Sequence, residues 1–439
     1  MSAQPKFKPG YGPGWHRMLV ETGWWHSFEL PDGRVIRGVS EIPALRERLG
    51  QFPIPQDLTG RRALDIGCWD GWFSFELERR GAEVVAIDIW DNPRFREMHA
   101  VYGSRVDYRQ MDVYELSPET VGTFDIVLFF GVLYHLKHPL LALEKVCSVT
   151  TGLAAVDSFV LRENFDLNAQ PLLHFYENDE FEGQTDNWVA PNLACLAAMC
   201  RTAGFARVDL CKILTYSAGF ACHRQFQAPR AEGARAEILQ TFHNTNYGVN
   251  CSWMRDDYLA CAFRTEEANL TRGDVQPRVG GYGVRPISVT KLGSDFWQTN
   301  FKVPPGLAPG WHPVTIAVRE GPESAALRIA VDLPLPDNCE LKIVGIRDGA
   351  TWAAGQLDLK AGRILCIWCE GFPDNADANN VRVFLNGSKC STVFVGPVSS
   401  SWQVNVEVPR AIAPGEAELT LKLGRAASAS GKVRLLAES

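Results

Sequence analysis

The first half of the chain alternates short apolar runs with segments of helical spacing. Residues 63–66 and 83–88 are apolar runs that carry acids, and each predicts a buried strand. Between them, Gly67 and Gly71 bracket a tight turn, and residues 72–80 have the apolar spacing of a helix. Strand, glycine turn, helix, strand and acid together predict the nucleotide-binding half of a doubly wound α/β fold.

The alternation continues to about residue 265. It predicts further strands at 106–110, 124–130, 153–159, 207–214 and 257–264, and helices at 93–101, 140–146 and 191–203. We therefore predict a seven-stranded, Rossmann-like domain at 61–265, with lid insertions at 161–190 and 215–256. Residues 1–60 are rich in aromatic side chains and are expected to form an N-terminal cap.

From about residue 266 the pattern changes to short alternating strands with Pro and Gly turns. Residues 297–304 read W-Q-T-N-F-K-V-P and residues 402–409 read W-Q-V-N-V-E-V-P, an offset of 105 residues. Two further matches at the same offset indicate an internal repeat. We predict a partial β-sandwich module at 266–335 and an immunoglobulin-like β-sandwich module at 336–439.

Composition narrows the class of protein. A length of 439 residues suits two or three domains, and a net charge of -7 argues against a broad nucleic-acid-binding face. The twelve cysteines are scattered, as expected for buried free thiols in a reducing cytoplasm. No apolar run approaches the ~20 residues of a membrane span. The start of the chain lacks the apolar core of a signal peptide, so we expect a cytoplasmic location.

The glycine turn reads D-I-G-C-W-D-G at 65–71. Its glycines would bring backbone N–H groups close to a ligand, and Asp88 at the end of the next strand can accept hydrogen bonds from the two hydroxyls of a ribose. Asp65 suits a cationic amino-acid ligand better than a pyrophosphate, which it would repel. The alternative is a βαβ core unit whose turn binds nothing.

Four blocks, at 24–33, 64–82, 131–139 and 187–196, resemble class I S-adenosylmethionine (SAM) methyltransferases. They resemble in particular the family of the tRNA wobble-uridine (5-hydroxyuridine) methyltransferases and their relatives, over residues 14–265. The resemblance implies SAM as cofactor. It places the ribose on Asp88, and it implies a cofactor-binding set made up of Trp25, Asp65, Gly67, Trp69, Gly71, Asp88, Ile89, Met111, Asp112, Val113, Phe130 and Tyr134.

Within that set, residues 111–113 would lie near the adenine and Tyr134 near the methionine end of the cofactor. One departure matters. Family members that use carboxy-SAM carry a lysine in a W-K-W block to hold the extra carboxylate, whereas this chain has W-W-H at 24–26. We therefore expect ordinary SAM.

The methyl group of SAM is already activated, so the enzyme has to position the acceptor and deprotonate it where its pKa requires. His135 and His174 are the candidate general bases, with a purely structural role as the alternative for each. The residues expected to shape the acceptor pocket are His26, Tyr176, Glu177, Asn187, Trp188 and Asn192. The alternative is that residues 188–192 dock and cap the helix that follows. No metal site is predicted.

The function expected from these features is O-methylation of a small-molecule or sugar-containing acceptor, such as a glycoside, by a cytoplasmic SAM-dependent methyltransferase. An RNA or tRNA base methyltransferase is the alternative within the same class. A non-catalytic scaffold or carbohydrate-binding protein is the alternative from another class. The β-modules would serve substrate presentation or oligomerisation as a homodimer.

Overall fold

The computed structural model describes residues 15–161, 166–181, 184–214, 217–227, 232–245, 247–425 and 427–437. The chain divides into two compact units. Unit 1 is Met1–Gln227 with Pro304–Gly306, and unit 2 is Ala228–Val303 with Leu307–Ser439.

Unit 1 is an α/β unit. Its helices are α1 (Trp15–Thr22), α2 (Ile42–Gly50), α3 (Trp72–Arg79), α4 (Pro93–Tyr102), α5 (Pro118–Val121), α6 (Pro139–Val149) and α7 (Leu193–Thr202). Its strands are β1 (Phe28–Glu29), β2 (Val35–Ile36), β3 (Arg62–Ile66), β4 (Glu83–Asp88), β5 (Asp107–Gln110), β6 (Phe124–Phe130), β7 (Thr150–Phe159), β8 (Leu173–Phe175), β9 (Val189–Pro191), β10 (Arg207–Ile213) and β11 (Ser217–His223).

Seven of these strands form one sheet in the order β10-β11-β7-β6-β3-β4-β5. Strands β7, β6, β3, β4 and β5 pair in parallel, and β11 runs antiparallel to both of its neighbours. This confirms the predicted doubly wound, methyltransferase-like sheet. The carboxyl ends of β3, β4 and β6 therefore meet at one edge, where open α/β sheets bind their ligands.

The sheet separates two apolar cores, because its central strands are buried on both faces, as parallel strands covered by helices must be. One core includes α6 and α7. The other includes α3 and the N-terminal side chains Trp24, Phe28, Leu45 and Phe52. The segment 1–60, predicted as a separate cap, thus contributes to the core of unit 1 within the described residues; residues 1–14 lie outside them.

One predicted strand belongs elsewhere. The segment 257–264, predicted as the seventh strand of the methyltransferase-like sheet, forms β14 (Tyr258–Arg264) in unit 2. The seventh strand is β11, inside the predicted lid insertion 215–256, so that insertion is not a lid and the boundary predicted at 265 is wrong. The error has a physical cause: both segments are short apolar runs, and only long-range pairing decides which sheet each joins.

Unit 2 consists of two β-modules. The first has strands β12 (Glu237–His243), β13 (Asn250–Cys251), β14, β15 (Val275–Val279), β16 (Tyr282–Gly283), β17 (Pro286–Lys291), β18 (Phe296–Lys302), β19 (Gly310–Val318) and β20 (Leu327–Val331). The second has β21 (Lys342–Asp348), β22 (Gln356–Asp358), β23 (Ile364–Glu370), β24 (Val381–Leu385), β25 (Ser388–Lys389), β26 (Ser391–Val398), β27 (Ser401–Glu407), β28 (Gly415–Leu423) and β29 (Ala427–Leu436).

The two modules share one topology. Their four-stranded sheets run β12-β14-β18-β17 and β21-β23-β27-β26, and their five-stranded sheets run β13-β20-β19-β15-β16 and β22-β29-β28-β24-β25. Each pair of sheets encloses its own apolar core. The first module is therefore complete rather than partial, since β12, β13 and β14 belong to it. The sequence echo places Trp297 and Trp402 at equivalent positions of β18 and β27.

The segment 161–190 keeps little regular structure in its described part, apart from β8, which pairs with β9. Helix α7 begins at Leu193, two residues later than predicted, because Asn192 is its N-cap. In the described ranges, no helix is long and apolar enough to cross a membrane.

Candidate functional site

The turn after β3 has the close-approach geometry predicted for it. Gly67 and Gly71 have φ values of 70° and 91°, and Trp69 between them has 51°. A Cβ on Gly67 would lie 2.3 Å from Cγ2 of Val132, so only glycine fits there. The turn therefore brings bare backbone to the edge of the sheet, beside the loop that follows β6.

Asp88, at the end of β4, closes this turn. One oxygen of its carboxylate accepts the backbone N–H of Trp69 at 2.9 Å, and the other accepts that of Trp90 at 3.0 Å. Burial raises the pKa of Asp88, and these backbone hydrogen bonds oppose the rise. Each carboxylate oxygen has a second lone pair, so Asp88 can still accept hydrogen bonds from a ligand's hydroxyls.

Asp65 lies beneath the turn with 2% of its surface exposed. Its carboxylate accepts a hydrogen bond from the hydroxyl of Ser74 at 2.6 Å. Burial raises the pKa of Asp65 to about 6, against the lowering effect of this bond. Two carboxylates, Asp65 and Asp88, thus flank the glycine turn, which suits a ligand that carries both hydroxyls and a positive charge.

Apolar side chains stand exposed around Asp88. Trp69, Ile89 and Trp90 expose 37%, 54% and 68% of their surfaces. Exposed apolar groups beside a buried carboxylate fit a ligand with a flat apolar ring next to a polar one. Met111 is half-buried at the end of β5.

Two of the predicted adenine contacts have structural roles. Asp112 caps the 3-10 helix Val113–Glu115 by accepting the N–H of Tyr114 at 3.0 Å. Val113 is 6% exposed and packs in the core beneath the sheet. Its contact with the adenine stays a prediction, and the structure shows the Val113 side chain in the core.

The aromatic block at 24–26 is tied to the turn by Asp70. This carboxylate, fully buried, accepts the backbone N–H groups of Trp25 and His26, each at 2.9 Å, and pairs with Nδ1 of His26. His26 is 5% exposed and its ring packs edge-on against Phe73. The structure thus assigns His26 to the protein interior, against the prediction of an acceptor contact.

A cluster of charged side chains from α2, β7 and β10 forms around Asp157, and no role was predicted for it. Oδ2 of Asp157 lies 2.7 Å from Nε of Arg48 and 2.5 Å from Nζ of Lys212. Oδ1 of Asp157 is buried and accepts no hydrogen bond from the described residues. Burial lowers the pKa of Lys212, and the adjacent Asp157 opposes this.

Within the cluster, Arg48 has the most exposed side chain. Its guanidinium packs over the ring of Phe130, 5.0 Å from the ring centre, and 29% of its side chain is exposed. A Cβ on Gly131 would lie 3.8 Å from Nη2 of Arg48 and 3.7 Å from the hydroxyl of Tyr134. Arg48 and Tyr134 therefore converge on the same point of the loop after β6.

His135 follows Tyr134 in this loop. Its Nδ1 lies 3.1 Å from the backbone carbonyl oxygen of Asp186 and 3.6 Å from a carboxylate oxygen of the same residue. A carbonyl can only accept, so Nδ1 carries the proton and Nε2 of the neutral ring has the free lone pair. Burial lowers the pKa of His135, although Asp186 and Asp88 oppose this. The ring is therefore neutral at pH 7.

The other candidate base lies on the exposed hairpin β8. His174 is exposed, and its ring centre lies 4.3 Å from that of Tyr176, which in turn stacks on Phe181 at 4.7 Å. Glu177 is exposed as well. Phe181 connects Tyr176 to Tyr134, because its ring centre lies 4.7 Å from that of Tyr176 and 6.3 Å from that of Tyr134.

The three remaining residues predicted for the acceptor pocket, Asn187, Trp188 and Asn192, differ in burial and in their contacts. Trp188 is half-buried beneath Lys137, whose Nζ lies 4.3 Å from its ring centre. Asn187 is buried and donates to the side chain of Gln184 at 2.7 Å. Asn192 is 1% exposed, accepts from the N–H groups of Cys195 and Leu172, and caps α7. Its prediction as an acceptor contact is wrong, and the capping alternative is right.

One of the residues missed by sequence reasoning had a detectable signal. Asp157 lies two residues before the end of an apolar strand, near the position that Asp88 holds in β4, so a similar rule would have selected it. Arg48 and Lys212 had none, because a helix arginine and a strand lysine are ordinary surface residues until the fold buries them. Among the described residues, no group of three or more His, Cys, Asp or Glu side chains could hold a metal ion.

Comparison with known proteins agrees with this geometry. Residues 64–152 match the family described as a methyltransferase domain. This part of the chain is similar to a methyltransferase domain. The match covers the glycine turn, Asp88 and the loop after β6, and it supports SAM as the cofactor predicted for the domain.

The chain is similar to parts of several curated proteins. It is 36% identical over 106 residues to a ubiquinone biosynthesis O-methyltransferase of Marinobacter nauticus, covering 23% of this chain and 44% of that protein. It is 27% identical over 155 residues to a tRNA U34 carboxymethyltransferase of Desulforapulum autotrophicum, covering 35% of this chain and 46% of that protein. The chain thus spans less than half the length of these relatives.

Among solved structures, the N-terminal domain of EvdMO1 with SAH bound is 22% identical and superposes with a TM-score of 0.34, covering 47% of this chain and 93% of that one. The 1,6-didemethyltoxoflavin-N1-methyltransferase of Burkholderia thailandensis is 17% identical with a TM-score of 0.31, covering 41% and 75%. At such scores, neither superposition by itself establishes a shared ligand or function.

Proposed function

We propose that the protein is a SAM-dependent methyltransferase that methylates a hydroxyl group of a small-molecule or sugar-containing acceptor. The observation that carries the proposal is the position of His135. A neutral imidazole, oriented through Nδ1 by the carbonyl of Asp186, lies in the loop after β6 of the methyltransferase domain. That is the edge at which a doubly wound sheet brings a ligand and a base together.

The residues around the glycine turn fit SAM. Asp88 would hold the ribose hydroxyls, Ile89 and Met111 would contact the adenine, and Asp65 would face the ammonium of the methionine part. Arg48, held in place by Asp157 and packed on Phe130, would hold the carboxylate. When bound, the cofactor supplies a methyl group activated by its sulfonium.

His135 would act as the general base. Nε2 is the only ring nitrogen with a lone pair once Nδ1 donates to Asp186, so it can take the proton of an acceptor hydroxyl. The lowered pKa of His135 keeps the ring deprotonated at neutral pH. We therefore expect kcat/KM to rise with pH as His135 loses its proton and to level off by pH 7.

The acceptor would bind against aromatic rings. The ring centres of Tyr134, Phe159 and Phe181 lie within 6.3 Å of one another, and Tyr176 stacks on Phe181. Such walls suit a compact acceptor with an apolar face better than a charged polymer. We propose a small-molecule or sugar-containing acceptor, methylated on oxygen and not on nitrogen.

Two further parts of the proposal concern the whole protein. All twelve cysteines are free thiols, which supports a reducing compartment such as the cytoplasm. Homodimer formation through the β-modules stays a prediction.

The test combines SAM turnover with binding of S-adenosylhomocysteine (SAH) by calorimetry. His135→Asn keeps a donor for the Asp186 carbonyl and removes Nε2, so against a panel of catechols, phenols and free sugars it should lower turnover by about 10²–10⁴-fold with SAH affinity unchanged. His138→Asn, at an exposed histidine three residues on, is the matched control and should keep full activity. Full activity in His135→Asn rejects the base, and failure of the unmodified protein to bind SAH rejects the methyltransferase.

A further inference from the structure

Unit 2 contains a cleft of about 510 Å³ that plays no part in the proposed reaction. It lies where the first β-module passes into the second. Trp311, at the start of β19, lines it together with the linker 333–337 and the loop 373–375. The volume lies in the range of sites that hold small ligands.

The walls of the cleft are braced. The carbonyl oxygen of Leu333 accepts hydrogen bonds from the side-chain amides of Asn250 and Asn375, each at 3.0 Å, and that of Pro334 accepts from Asn375 at 2.9 Å. Asn375 is 3% exposed, so its amide holds the linker from within the protein, whereas Asn250 is half-buried. Pro334, Pro336 and Pro373 restrict the backbone further. A braced cleft loses little entropy when it binds a ligand.

The chemistry of the lining is mixed in a specific way. The indole of Trp311 is half-buried, with the guanidinium of Arg328 5.5 Å from its ring centre. Asp337 and Asp374 are exposed carboxylates that can only accept hydrogen bonds. Arg425 lines an adjoining hollow of about 210 Å³ that shares Asp337, and a guanidinium can only donate.

A sugar matches this lining better than other ligand classes. A pyranose ring has a face of C–H groups that stacks on an indole, and its hydroxyls both donate to carboxylates and accept from a guanidinium. The two carboxylates Asp337 and Asp374 outnumber the guanidinium of Arg425 among the lining residues, so an anion would be repelled on balance. A purely apolar ligand would displace water from the carboxylates of Asp337 and Asp374 without replacing the hydrogen bonds that the water made.

We propose that the cleft lined by Trp311, Asp337 and Asp374 binds a neutral sugar. The proposal is independent of the methyltransferase activity, since it concerns residues of unit 2 alone. It assigns the β-modules a binding role of their own.

The full chain is applied to an array printed with neutral sugars (glucose, galactose, mannose, rhamnose, xylose and their oligosaccharides) and with the matching uronic acids. We expect retention on at least one neutral sugar, weaker retention on its uronic acid, and a loss of about tenfold or more in Trp311→Ala. Trp352→Ala is the matched control, because Trp352 is a tryptophan of unit 2 outside the cleft with 55% exposure, and it should bind as the unmodified chain does.

Asp374→Asn guards against a folding defect in Trp311→Ala, because it changes one exposed oxygen to an amide and should still weaken retention severalfold. Absence of retention on every printed sugar overturns the proposal. The proposal is also overturned if Trp311→Ala and Asp374→Asn both bind as strongly as the unmodified chain, or if the uronic acids are retained as strongly as the neutral sugars. Loss in Trp352→Ala alone would place the sugar elsewhere on unit 2 and would equally refute this cleft.

Discussion

Gly67→Ala tests the claim that the glycine turn is built for close approach. Two separate costs arise at this position. Its φ of 70° is strained for any residue with a Cβ, and the new Cβ would lie 2.3 Å from Cγ2 of Val132. Ordinary contact between carbon atoms begins at about 3.5 Å, so one of the two backbones has to shift.

The cost of the strained φ and the cost of the overlap with Val132 can be measured separately, because the chain offers a matched control. Gly60 has a φ of 74° and no atom within 4 Å of its Cβ position, so Gly60→Ala measures the dihedral cost alone. We expect that cost to be about 1–2 kcal/mol. The overlap with Val132 adds about 1–3 kcal/mol, so Gly67→Ala should lower the free energy of unfolding by about 2–5 kcal/mol in all.

The assay is denaturant unfolding of four variants: Gly60→Ala, Gly67→Ala, Val132→Ala and the double variant of Gly67 and Val132. Val132→Ala removes both methyl groups, so the double variant should recover the overlap cost but not the dihedral cost, which a double-mutant cycle isolates. SAH affinity should fall in Gly67→Ala, because a shifted turn no longer presents its backbone to the ligand. Equal losses in Gly60→Ala and Gly67→Ala, or no coupling between Gly67 and Val132, would refute the packing argument.

The remaining predictions concern a buried acid and a helix cap. Burial raises the pKa of Asp65 to about 6, so most of this carboxyl group is protonated at pH 5 and most of it is ionised at pH 7. If a bound ammonium requires the ionised carboxylate, SAH should bind about tenfold more tightly at pH 7 than at pH 5. Asp65→Asn should flatten that dependence in calorimetry, and a slope that persists in this variant would assign it to another group. Asn192→Ala removes the cap of α7 and leaves buried partners unsatisfied, so it should cost about 2–4 kcal/mol of unfolding free energy. Asn168→Ala removes an exposed side chain whose hydrogen-bond partner among the described residues is Asp166, so it should cost less than about 0.5 kcal/mol. Equal losses in Asn192→Ala and Asn168→Ala would contradict the capping role.

The part of unit 1 that could be predicted is the part whose sequence pattern depends on neighbouring residues. Strand β3, the glycine turn, α3 and β4 follow one another within about 27 residues (62–88), and each shows its own periodicity or turn chemistry. The internal repeat was equally readable, because identical positions recur at one offset. Both features survive in the structure, with the same glycines and the same pair of tryptophan-bearing strands.

The errors share one physical origin, which is long-range contact. The segment 257–264 was assigned to the wrong sheet because its partners lie at 237–243 and 296–302. His26 was expected at the acceptor until Asp70, 44 residues away, proved to hold it inside the protein. The sequence was compatible with Asn192 either as a pocket residue or as a helix cap. The hydrogen bonds that its side chain accepts from the N–H groups of Leu172 and Cys195 show that it is the cap.

The sequence by itself determined the turn, the acids that flank it and the repeated modules, because glycine conformation, strand periodicity and repetition are properties of neighbouring residues. Only the tertiary structure decided which strand completes the sheet, that His135 contacts the carbonyl of Asp186, and that Arg48, Asp157 and Lys212 meet at all. Burial and charge pairing between residues more than 50 positions apart depend on how the chain folds back on itself, and no local pattern records that.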